Sequence, residues 1–123
     1  ARIGDSVDNR WTLAVADPRG DLILRRCGSA TSPYAARAFA SRLGRSLEDL
    51  PDATFARNCI EGMHATLQSG TPIVEDVDCL ATWPGYGNIR SRYRRLLLPF
   101  PEARQPTVLS AISLDPSIDL LPA

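Results

Sequence analysis

Apolar residues alternate with polar ones near both ends of the chain and recur every four positions in its middle. Trp11 to Ala16 alternates weakly and is rich in β-prone residues, and Leu22 to Cys27 is a second short run. Asp17-Pro18-Arg19-Gly20 lies between them, a turn with Pro at its second position. The two runs predict a hairpin. Ser32-Pro33 is a helix start, a hydroxyl cap followed by Pro, so Tyr34 to Leu43 is expected to be helical and to stop at Gly44. Ser46 and Asp49 imitate a capping box for one short turn, which Pro51 closes.

The longest helix is expected next, capped by Asp52 or Thr54 and stopped by Gly70. Phe55, Cys59, Met63 and Leu67 form a one-sided stripe that Ile60 widens, as a helix lying across a sheet requires. Pro72 opens an extended segment, Ile73 to Ala81, with Ile73, Val77, Cys79 and Ala81 on one face and Glu75 as a break in that series. Trp83-Pro84-Gly85-Tyr86-Gly87-Asn88 reads as a loop, Ile89 to Phe100 as a strand, and Thr107 to Leu114 as a last strand buried on both faces. Residues 1–10 are mostly polar and form a linker or short helix capped by Asp5 or Ser6. The expected division is a segment over residues 1–10, one domain over 11–115 and a tail over 116–123. Two strands cannot complete a core alone. The five strands therefore predict one antiparallel sheet in which the N-terminal hairpin joins the last three strands, with the helices on one face. The fold class is α+β. The gap between long helix and sheet is a natural small-molecule pocket.

Composition narrows the functions. A chain of 123 residues suits one domain with a core of its own. Fourteen basic residues balance 14 acidic ones, so no nucleic acid is expected as a partner. Every basic residue is Arg, which favours forked contacts over point charges. Cys27, Cys59 and Cys79 are odd in number and match no zinc spacing, so a reducing cytoplasm is the expected location. No apolar run approaches the roughly 20 residues that span a bilayer, and no membrane partner is expected. No leader peptide is visible, and the start at Ala1 is taken as a trimmed one.

The element order resembles the PAS domain family over about Trp11 to Leu114. Three stretches carry the resemblance: Leu43-Gly44-Arg45-Ser46-Leu47 leading to Leu50, Leu67-Gln68-Ser69-Gly70-Thr71-Pro72, and Arg92-Tyr93-Arg94-Arg95-Leu96-Leu97-Leu98-Pro99. The variant looks nearest to PAS domains common in alphaproteobacteria. The resemblance implies a bacterial cytoplasmic sensor that forms a homodimer. It would hold a haem, flavin or small metabolite between long helix and sheet and pass a signal to an effector domain or partner protein. Fold alone does not settle function.

The residues select among these chemistries. Phe55, Cys59, Met63 and Leu67 on the helix, with Phe39, Tyr34 and Tyr93, are the expected ligand-binding set, although the stripe is first of all what plain core requires. His64 is the lone histidine, too little for a metal site. Some PAS domains ligate haem through this helix, but the matching position is nearer Cys59, and five residues turn about 140° around the helix. Arg57-Asn58-Cys59 resembles the Asn-Cys pair of flavin-binding LOV domains, yet their reactive Cys belongs near Gly44-Arg45-Ser46. The ligand and any cofactor stay unnamed. Arg90, Arg92 and Arg94 share a strand face and are expected to pair with Asp76 and Asp78. No Ser-His-Asp set, paired carboxylates on the apolar helix face or phosphate loop is present, so no enzyme is expected. The alternative is a small α+β cone-fold enzyme that turns His64 inward beside Glu61 or Asp78.

Overall fold

Short polar turns set the strands. Asp17 accepts the Arg19 and Asp21 amides on one carboxylate oxygen, each at 2.9 Å, and Gly20 takes φ +89°. This Asx geometry reverses the chain between β1 (Trp11–Ala16) and β2 (Leu22–Cys27). The computed structural model describes residues 10–28 and 38–121. The expected short helix within residues 1–10, the Ser32-Pro33 helix start and Tyr34 lie outside the described residues. Residues 38–40 are helical, and turns follow to Gly44 at φ +84°. A single 3₁₀ turn, Leu47–Asp49, comes next; the Ser46 hydroxyl caps it by accepting the Glu48 amide, while the Asp49 carboxylate pairs with Arg45 at 3.2 Å.

Helix α1 (Ala53–Ser69) starts at Asp52 and ends on Gly70, whose φ of +69° is the left-handed cap. It buries Ala56, Cys59, Met63 and Thr66, three and four residues apart. Three long strands complete the fold: β3 (Ile73–Trp83), β4 (Gly87–Phe100) and β5 (Thr107–Leu114). The sheet runs β2-β1-β5-β4-β3, antiparallel at every junction. This is a PAS-like five-stranded antiparallel sheet with helices packed on one face. The core lies between them, where Ala14, Leu22, Leu24, Leu97 and Val108 of the sheet meet Leu47, Leu50, Ala56 and Met63.

Two strand expectations shift. The segment read as a loop over Trp83 to Asn88 turns in three residues, 84–86, because Gly85 and Gly87 take φ of +82° and +79°. The ladder therefore gains the pairs Thr82↔Asn88 and Trp83↔Gly87, and Trp83 becomes a buried strand residue. At the far end of β5, Ser113 and Leu114 are exposed rather than buried. β1 ends opposite Ala111 at Trp11, so those two residues pair with β4 alone.

Outside the sheet, the expected charge ladder forms. Arg94 meets Asp76 at 2.9 Å, and Arg90 grips Asp78 with two hydrogen bonds of 2.9 and 2.7 Å. Arg90 holds the Asp78 carboxyl well below the usual carboxylate range. The same Asp78 accepts the amides of Leu120 and Leu121, and Arg90 also reaches Asp119 at 2.9 Å. The described tail is thus tied across β3 and β4, with Ile118 buried.

Asp52 links helix and sheet. One oxygen accepts the Phe55 amide at 2.9 Å and the other the Thr82 amide of β3 at 2.8 Å. The Phe55 amide first, then the Thr82 amide, holds its carboxyl below the ordinary range. A carboxyl lowered by folding stabilises the fold above its unfolded pKa of about 3.9, and that contribution is lost as pH falls through the folded value. Asp52→Ala is expected to cost about 1–2 kcal/mol in urea unfolding at pH 7. The gap between variant and parent should begin to narrow as the same titration is taken below about pH 4 and close only below the lowered folded value.

Candidate functional site

The helical stripe and the strand alternation converge on one hollow. α1 presents Phe55, Cys59 and Met63 to the inner face, β4 presents Tyr93, and Phe39 arrives from the segment before the 3₁₀ turn. These five expected site residues line a cavity of ≈ 70 Å³ between helix and sheet. Leu67, the sixth described one, sits one turn past the cavity and packs against the core instead. Tyr34 lies outside the described residues.

The aromatic wall holds a residue that the sequence reading left in a loop. Trp83 is 3% exposed, with its ring centroid 5.2 Å from Phe55, edge on, and 6.4 Å from Phe39. The tight Gly85–Gly87 turn puts it there. Ser110 of β5 and Arg95 of β4 also reach the cavity from the sheet. Strand parity could have found both, since Arg95 shares its face with Tyr93 and Leu97, and Ser110 with Val108.

Arg95 is the unexpected member. It is 5% exposed and points under α1 rather than out with Arg90, Arg92 and Arg94. Its Nε donates to Glu75 Oε1 at 2.7 Å, and Nη2 donates to the same oxygen. Glu75 therefore does not interrupt the inner face of β3, because it supplies the counter-charge that a buried guanidinium requires. Opposite this pair, α1 carries Gly62. A Cβ there would stand 2.8 Å from Arg95 Nη2 and 3.3 Å from Leu97 Cδ1. Absence of a side chain lets the helix close over the pair.

A second, wider hollow of ≈ 500 Å³ opens on the other side of this partition, beside β3, with Asn58, Glu61, Glu75 and Leu120 on its walls. Phe55, Cys59, Tyr93 and Arg95 border both spaces. Burial pushes the Cys59 thiol up, against the opposing pull of Arg95, and pushes the Tyr93 phenol well up. Both stay protonated at neutral pH. The cavity wall can therefore offer apolar contact, ring stacking and hydrogen bonds, and of its two guanidiniums, Arg10 and Arg95, the latter is matched by Glu75.

His64 lines neither hollow. Asp78 is on the outer face, engaged with Arg90 and the tail. The inward His–carboxylate pair that a cone-fold enzyme needs is not assembled by these residues. Among the described residues, no group of three or more His, Cys, Asp or Glu is placed to hold a metal.

No family model matches the chain, and neither does any curated protein. Among solved structures, the fold is similar to that of Vibrio cholera VqmA in a complex with a ligand and DNA, with a TM-score of 0.56 at 11% identity. The match covers 84% of this chain and 45% of that one, and at this identity it speaks for the fold alone.

Gly62 gives the site a sharp mechanical test. An ordinary Gly→Ala change inside a helix gains about 1 kcal/mol. Gly62→Ala is expected to lose stability instead, because the new methyl displaces Arg95 Nη2 from its bond to Glu75 and presses on Leu97 Cδ1. Urea unfolding of the variant measures the sign, and a stabilised protein would show that the helix has slack above the pair.

Proposed function

We propose that this domain is a PAS-type sensory module that holds a compact, largely apolar small molecule between α1 and the sheet. The observation that carries the reading is the cavity bounded by Phe39, Phe55, Cys59, Met63, Trp83 and Tyr93. Its ≈ 70 Å³ is about half the roughly 150 Å³ of an engineered cavity that takes up benzene. A guest of one ring therefore enters by displacing side chains, and Met63 is the adaptable one among them. Such displacement gives a guest leverage on the fold, limited by its differential affinity for the two packings.

In this reading the domain is not an enzyme: its buried polar groups are protonated or paired, and its lone histidine is elsewhere. The cysteines Cys27, Cys59 and Cys79 are all unpaired, which supports a reducing, cytoplasmic setting. No described helix is long and apolar enough to cross a membrane. Homodimerisation and an effector that receives the signal belong to the same reading. No nucleic-acid contact is assigned to the outer strand face, since Asp76 and Asp78 occupy its arginines.

Native mass spectrometry with an absorbance spectrum of freshly purified protein tests both the retained guest and the subunit count. A cavity-filling variant makes the test specific. In Met63→Trp the spare volume absorbs part of the larger side chain, so the stability cost should stay within the about 1–3 kcal/mol of ordinary overpacking. Binding of indole or toluene, followed by amide shifts along residues 55–63 and at Tyr93, should fall at least about tenfold, because the indole of the variant takes the space that Met63 would yield to a guest. Shifts that persist unchanged in the variant would place the guest elsewhere.

A further inference from the structure

The wall of the inner cavity is rich in donors and poor in acceptors. Two guanidiniums line it, Arg10 and Arg95. The β1–β5 pairing runs one residue past Trp11, where the Ile112 amide donates to the Arg10 carbonyl at 2.9 Å. Ile112 in turn sits opposite Arg95 in the β4–β5 register. Arg10 and Arg95 therefore stand in one row across the inner face with Ile112 between them, two strand spacings or about 10 Å apart along the backbone. The register puts Tyr93 one row to one side of this row and Ser110 one row to the other. A guanidinium carries five N–H donors, and a carboxylate occupies two of them in the forked geometry. Each arginine thus keeps donors in hand even where it meets a carboxylate. Arg95 shows this directly: Nε and Nη2 both donate to Glu75 Oε1, and neither bond uses Nη1. Tyr93 and Ser110 are each 6% exposed, and neither hydroxyl bonds to a described residue. Among the described residues, no Asp, Glu, Asn or Gln lines this space. Buried donors of this kind cost free energy until something supplies an acceptor.

We propose that the cavity takes a small monocarboxylic acid of about one ring, with its carboxylate held between Arg10 and Arg95 and its apolar body against Phe39, Phe55 and Trp83. The proposal rests on the cavity being the binding site and adds the charge of the guest. A carboxylate brings two oxygens that only accept, and it matches the planar fork of a guanidinium. The same oxygens lie within the span of the Tyr93 and Ser110 rows. Glu75 lines only the outer hollow, so the acid that pairs with Arg95 does not occupy the guest's space. A neutral amide is a poorer fit, since its one oxygen accepts while its NH₂ adds donors to a wall that already has a surplus. An ammonium guest is poorer still, because it brings donors alone and a charge of the same sign as both arginines.

Benzoate, benzamide and benzylamine are the probes, one ring each with an anionic, a neutral and a cationic head. Titrations of the full chain, followed by amide chemical shifts, are expected to show benzoate bound at least about tenfold more tightly than benzamide, and benzylamine more weakly than either. Arg10→Gln keeps the main-chain bond to Ile112 and removes the charge. In that variant benzoate affinity should fall at least about tenfold while benzamide changes by no more than about threefold. Arg10→Lys keeps the charge without the fork and should lie between variant and parent. If the parent binds benzamide or benzylamine as tightly as benzoate, or if a folded Arg10→Gln binds benzoate unchanged, the carboxylate selection is wrong and the cavity still stands as the site. Benzoate that shifts only amides near Arg90, Arg92 and Arg94 is pairing with the outer strand face, which also overturns the proposal. If toluene and all three probes leave the cavity amides unmoved, the cavity reading fails and the selection fails with it. Circular dichroism checks that the variants are folded, and the ranking in the parent protein decides the matter where one is not.

Discussion

A guanidinium buried beneath a helix is the constraint on which much of this structure depends. Arg95 cannot occupy the inner sheet face without a carboxylate, and Glu75 of the neighbouring strand provides it through the β3–β4 register, in which the two residues sit directly opposite. The helix above must come close enough to exclude water yet leave room for the forked head. Gly62 meets both demands at one position. The pair then stands between two spaces, one small and largely apolar, the other wider and more polar. The cavity proposed for binding is thus as much a product of this ion pair as of the aromatic side chains around it.

The sequence made the elements legible where local chemistry alone decides them. β1, β2, β5 and α1 run over the residues that their patterns predicted, because a Pro turn, an Asp cap and a Gly stop act within a few positions. The hairpin after β3 was misread because Trp83-Pro84-Gly85-Tyr86-Gly87-Asn88 has the composition of a loop; only the positive φ of two glycines shows how short the reversal is. Arg95 follows a run of outward arginines, although its parity with Tyr93 and Leu97 already pointed inward. Reading Glu75 as a break in an apolar series hid the other half of the pair. Each residue looked anomalous alone, and they explain one another only when the strand register is known.

The candidate site divides in the same way. A helix stripe can be read from spacing, so Phe55, Cys59 and Met63 were found, but spacing does not say where along the stripe the sheet curves away. That is why Leu67 is core and Met63 is wall. Trp83 and Ser110 come from distant strands, and their meeting is a matter of topology. The tail shows the same limit: nothing local marks Leu120 and Leu121 as partners of Asp78, more than forty positions earlier.

The two borders of the sheet are treated differently. Beside β2 runs the segment around Arg45, which exchanges main-chain hydrogen bonds with Leu24 at 3.0 and 2.7 Å. β3 is the other border, and its 11 residues pair on one side with β4. A long border strand of this kind, bearing exposed Val74 and Leu80, is a template for unwanted stacking of chains. A charge turned inward on such a strand discourages that stacking, because an added strand would have to bury it. Glu75 is such a charge. The residue that balances Arg95 thereby also helps keep the protein dispersed at the concentrations a cell demands.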